Sequence, residues 1–229
     1  MIYGLETIFT LLLAVVAFII VIAAQVYLSS INKKGKEKNN NCGLSGCEVA
    51  RKILDSNGLS DVYVVATSGS LSDHYDPKRK VVRLSKDIFH GTTVASTAVA
   101  AHECGHAIQD KENYMFMRIR SLLAPVVNFM TYIGYFGLVV SLFAGITGYL
   151  KISICLVVLS LLFQLVTLPV EFDASRRALK EIDKQSFLIN AEKDLSKQVL
   201  KAAALTYVAS LISTIIDLLR LVIMLNDRD

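Results

Sequence analysis

Residues 7–32, 121–150 and 152–170 carry no charged side chain. Crossing a hydrocarbon core takes about 20 predominantly apolar residues, and each of these stretches supplies roughly that length or more. Composition agrees, with 53% hydrophobic residues and a mean hydropathy of +0.49. The expected class is therefore a mainly α integral membrane protein. The first span is read over 5–28. The segment before it, MIYGLE, has Glu6 as its sole charge, unlike the basic lead and small-residue cleavage site of a signal peptide. An uncleaved anchor is expected.

Residues 121–170 contain one charge, Lys151, and are long enough for two spans. Gly145 and Gly148 favour a turn between helices over 122–146 and 150–169. A fourth span is expected over 202–225. Its Asp217 and Arg220 are spaced i, i+3 on one helical face, so each can neutralise the other. The segments 29–120 and 171–201 then lie on one side of the membrane. They hold 14 and 7 of the chain's 24 Lys and Arg residues, so the positive-inside tendency predicts that both are cytoplasmic. The net charge of +4 calls for no nucleic-acid partner, because the basic side faces anionic lipid.

The polar segments read as a small α+β region. SGCEVARKILDSNGLSDV suggests an amphipathic helix ending at Asn57-Gly58, followed by β-rich runs at 62–67 and 81–85. A loop containing Asp76-Pro77 joins the two runs. An exposed strand edge here would accept an extended peptide. A helix rich in Ala and Val follows over 92–109, and a charged helix starts or kinks at Pro169. Cys42 and Cys47 form a C-x4-C pair in a loop without two further ligands close by, so free thiols are expected. Cys104 and Cys155 read as small core residues.

Two of the chain's four histidines stand in HECGH, at His102 and His106. Positions i and i+4 of a helix differ by about 40° of rotation, so both imidazoles leave one face a turn apart. H-E-x-x-H on a helix is the zinc-peptidase pattern: two neutral imidazoles hold the ion and the glutamate is placed as general base. Zinc would lower the pKa of its water to about 7, and Glu103 would move that proton to the leaving amine. A third ligand must come from elsewhere. His74, His90 and a downstream carboxylate are candidates, and Glu171 in LPVEFDAS stands out. Asp173 lies about 200° around the helix from Glu171, so the two cannot both face one metal squarely.

Four stretches in order, SGSLSDHYDP, VVRLS, AAHECGHAIQD and LPVEFDASRRAL, resemble the YugP-type neutral zinc metallopeptidases of bacterial membranes. The likeness covers nearly the whole chain. More distantly similar HtpX-like peptidases also follow HExxH with a hydrophobic hairpin and a ligand glutamate. The resemblance implies His102, His106 and Glu171 as zinc ligands and Glu103 as catalytic base. Those distant relatives carry an aspartate four residues after the ligand glutamate, where this chain has Ser175. Asp173 is then the candidate for a supporting contact to a ligand imidazole.

Two further residues have alternative readings. His74 is a candidate hydrogen-bond donor to the oxyanion of the tetrahedral intermediate, or else a loop residue ordering a turn with Asp73 or Asp76. Arg176 would bind a substrate carboxylate or the oxyanion, or pair with a neighbouring acid. His90 is expected to open the metal helix in a structural or solvent-facing role. Together these features predict a multi-pass cell-membrane zinc endopeptidase with a cytoplasmic site, acting on peptides or proteins, membrane proteins among them. The rivals are a zinc-binding membrane scaffold without hydrolytic activity and a small transporter using Asp217 and Arg220.

Overall fold

The computed structural model describes residues 2–144 and 149–226. The turn expected at Gly145 and Gly148 lies outside them. The described chain is mostly helical, in the order α1 (Ile2–Glu37), α2 (Gly46–Ser56), β1 (Tyr63–Thr67), β2 (His74–Asp76), β3 (Val81–Ser85), α3 (Lys86–His90), α4 (Val94–Lys111), α5 (Met115–Ala144), α6 (Tyr149–Lys184) and α7 (Asn190–Asn226). Two compact units emerge. One gathers the segments 1–25, 119–168 and 206–229, and the other 26–118 and 169–205.

The first unit is apolar. Among the described residues, three helices are long and apolar enough to cross a membrane: Thr7–Glu37, Leu150–Lys184 and Asn190–Asn226. Their large apolar side chains point outward, Phe18 being 66% exposed and Leu11 63%. Water would penalise such a surface at about 25 cal/mol per Å², whereas lipid would not. Within the unit, α5 and α6 approach closely. A Cβ at Gly134 would lie 2.1 Å from Leu156 Cδ1. Arg220 donates to Asp217 at 2.8 Å and to the Thr10 carbonyl at 2.9 Å, so this ion pair also ties α7 to α1.

The second unit encloses a core of buried apolar side chains. Helix α2 starts with a capping box, in which Ser45 Oγ accepts from the Glu48 amide while the Glu48 carboxylate accepts from the Ser45 amide. It buries Val49, Ala50, Ile53 and Leu54 and ends before Gly58, whose φ of +64° suits a residue without Cβ. The sheet has the order β1-β3-β2. β3 runs parallel to β1, with Tyr63 opposite Val81, and antiparallel to β2, with Tyr75 opposite Val82. The α6 face Val170, Ala174, Ala178 and Ile182 is buried at helical spacing.

Several expected boundaries shift. The lysine run 33–36, past the expected end of the first span at 28, is the last turn of α1. Its Gly35 is held near Ala95 and Val199, where a Cβ would sit 3.1 Å from each. Strand β2 falls inside the expected loop. α6 runs unbroken through Pro169, and the charged segment before the fourth apolar stretch is continuous with it as α7. The cost of a proline inside a helix is offset here by the buried stripe that starts at Val170. His90 ends α3 and does not open α4, whose N-cap is Thr93. Cys47 belongs to α2 and not to a loop. All four cysteines are free, and Cys155 is exposed on α6 where a core position was expected.

Candidate metal centre

Helix α4 packs unusually close to α6 because both present small residues at the crossing. A Cβ at Gly105 would meet the Ala174 carbonyl oxygen at 2.6 Å and its Cα at 3.2 Å. This approach brings Glu171 to the two imidazoles. Glu171 Oε2 lies 3.3 Å from His102 Nε2 and 3.7 Å from His106 Nε2. The ligand atoms of His102, His106 and Glu171 all fall within 4.8 Å of one another. Among the described residues this trio is the one such group of metal-ligating side chains, and neither His74 nor His90 belongs to it. The rings stand 4.8 Å apart, centroid to centroid, and nearly perpendicular at 82°.

Gly105 therefore sets the spacing of the site. In Gly105→Ala the new methyl faces helix backbone, which cannot rotate away, so the helices must part. The expected outcome is about 1–3 kcal/mol of lost stability together with weakened metal binding. A thermal midpoint and a zinc titration of the same sample measure both.

The surroundings of the trio come from three elements. Gln109, fully buried one turn after His106, offers Oε1 to His106 Nδ1 at 2.9 Å. Its amide nitrogen donates to the Val170 carbonyl at 2.8 Å and to Asp173 Oδ2 at 3.0 Å. Asp173 also accepts from Arg176 and Arg177, and Arg177 continues to Glu112 at 2.6 Å. Asp173 thus reaches a ligand imidazole through Gln109, not by the direct contact expected of it. Ser175 itself lies 3.3 Å from His102 Nδ1, at the position where the distant relatives carry aspartate. Arg176 is exposed, with its guanidinium on Asp173. His74 lies on β2, exposed, with Nδ1 2.8 Å from the Ser72 carbonyl.

Glu103 is buried on the same helix. Burial pushes its carboxyl up to about 7, with the Glu171 and Asp73 charges adding to the rise, while His102 and the Tyr75 backbone amide oppose it. A carboxylate poised near neutrality can take and return a proton in one cycle. Tyr75 secures β2 above it by donating its hydroxyl to Asp110 at 2.9 Å. Gln109, Gly105 and the Tyr75 backbone are the parts of the centre that the sequence reading passed over. Gln109 had a signal, the i, i+3 spacing from His106 that puts it on the imidazole face.

Two imidazoles and one carboxylate are the donor set of catalytic zinc sites that keep a fourth position open. The chain matches, over residues 10–226, the family model described as "Putative neutral zinc metallopeptidase". It belongs to that family. It is 42% identical over 207 residues to the "Putative membrane protease YugP" of Bacillus subtilis (strain 168). That alignment covers 90% of this chain and 92% of the relative. No solved structure matches. Membership of the neutral zinc metallopeptidases agrees with the donors present. Nitrogen and oxygen ligands in this number suit zinc, whereas calcium or magnesium sites are built from oxygens alone.

Proposed function

We propose that this protein is an active membrane zinc endopeptidase with Glu103 as general base. The supporting observation is the meeting of His102, His106 and Glu171 within 4.8 Å, with Glu103 buried on the same helix as the two imidazoles. Those three residues would hold the ion, and zinc bound there would supply Lewis-acid chemistry, acidifying a water and polarising the scissile carbonyl. The chain's own residues do the rest. Glu103 accepts the proton of the attacking water and returns it to the leaving amine. Ser175 and Gln109 hold the two rings by their Nδ1 atoms, leaving both Nε2 atoms directed at Glu171. β2 is an edge strand whose Tyr75 backbone reaches Glu103, so an extended peptide adding to that edge would be carried past the base.

The substrates on this reading are peptides or proteins, membrane proteins among them, with no role for nucleic acid. α5 completes a set of four spans, and the site works on the cytoplasmic side, which the concentration of Lys and Arg in 29–120 and 171–201 supports. The test is hydrolysis of an unfolded protein by the detergent-purified chain, with zinc content measured in parallel. We expect bound zinc, loss of hydrolysis to background on chelation, and recovery when zinc is returned. Full activity after complete zinc removal would refute the reading. Ion flux in liposomes that is indifferent to chelation, without hydrolysis, would favour a transporter.

A further inference from the structure

We infer that Gln109 is a positioning residue, acting through His106, that keeps the proton of this imidazole on Nδ1 and so leaves Nε2 free for the ion. This rests on the zinc reading above and adds a residue to it. The argument begins with the amide. The Gln109 nitrogen faces the Val170 carbonyl at 2.8 Å and Asp173 Oδ2 at 3.0 Å, and both of these oxygens are acceptors. Turning the amide over would set its oxygen against these two oxygens in a fully buried place, replacing two hydrogen bonds with oxygen–oxygen repulsion. Oε1 must therefore face His106 Nδ1, at 2.9 Å, and an amide oxygen can only accept. Nδ1 must carry the hydrogen.

The alternative is concrete. A neutral imidazole has one proton, and Glu171 Oε2 competes for it at 3.7 Å from Nε2. A proton held there would occupy the very lone pair that the ion needs. Gln109 is 0.8 Å nearer to its own nitrogen and is held on its far side by Asp173, itself anchored by Arg176 and Arg177. His102 has no such lock. Its Nδ1 faces the Ser175 hydroxyl at 3.3 Å, and a hydroxyl can donate or accept. The two ligand rings are thus held unequally, and the preorganised one is His106.

The experiment is nitrogen NMR of the full-length, zinc-free protein in detergent, labelled at histidine, at a pH where imidazole is neutral. Four histidines make assignment by single replacement practical. The wild type is expected to show His106 protonated at Nδ1. A His106 protonated at Nε2 alone overturns the inference, and this measurement needs no variant. In Gln109→Met, which preserves volume, the proton should move to Nε2 and zinc affinity should fall about 10–100-fold, the range for loss of a partner behind a ligand. A Gln109→Met protein that keeps the Nδ1 proton and wild-type zinc affinity also overturns it. The two readings fail separately. If the wild type binds no zinc, the peptidase proposal falls while the NMR still decides the proton's place.

Discussion

Glu103→Gln should abolish peptide hydrolysis while zinc remains bound. The amide keeps the size of the side chain but can neither accept the proton of water nor pass it on. General-base catalysis contributes typically about 10²–10⁴-fold, so kcat should fall by that order with KM little changed. Rate measurements alongside metal content check it, and a variant that still hydrolyses at the wild-type rate would remove Glu103 from the mechanism. The same substitution has a consequence for stability. In the chelated protein, a buried carboxyl raised from 4.5 to about 7 holds its proton more tightly folded than unfolded. The contribution of this group to stability is then greatest below pH 4.5, falls as pH rises through that interval, and is lowest above 7. At about 1.4 kcal/mol per pH unit the full effect is on the order of 3 kcal/mol. Gln has no proton to lose. The chelated Glu103→Gln protein should therefore be the more stable at pH 8, with the advantage over wild type shrinking towards pH 5. Thermal midpoints at the two pH values measure it.

Glu171→Ala should empty the centre of metal, whereas Asp173→Ala should only weaken it. Glu171 is 3% exposed and meets both imidazoles, so its loss removes one of three ligands and leaves two rings that cannot enclose an ion. Asp173 touches neither ring and acts through Gln109, so its replacement should cost about 10–100-fold in affinity. Zinc per chain, measured for wild type and both variants after identical dialysis, separates them. Complete loss in Asp173→Ala with full retention in Glu171→Ala would reverse the assignment and place the third ligand elsewhere.

What could be read in advance follows from the range of each interaction. The imidazole pair was legible because its geometry is local: four residues of one helix set it. Glu171 was legible less directly, from its place after an apolar hairpin. Strand β2 was not, because three residues are too few for an alternating pattern and His74–Asp76 are a strand only through their pairing with β3. The lysine run at 33–36 lies past the expected end of the first span, because its charge closes the apolar stretch. It continues α1 as helix, with Gly35 packed close to Ala95 and Val199 on distant segments. Pro169 looked like a boundary, yet the burial of Val170, Ala174, Ala178 and Ile182 carries the helix through it.

By itself the sequence determined that the chain is an apolar, multi-helix protein bearing two imidazoles and a glutamate on one helical turn. These are matters of composition and of the 3.6-residue repeat. Only the tertiary structure decided how near Glu171 comes to both imidazoles, which amide lies against His106, and what raises Glu103. Each of those depends on the approach of α4 to α6 at Gly105 and Ala174, and on β2 lying beside α4. Such contacts join residues far apart in the chain, and their distances are set by packing, on which spacing along the sequence carries no information.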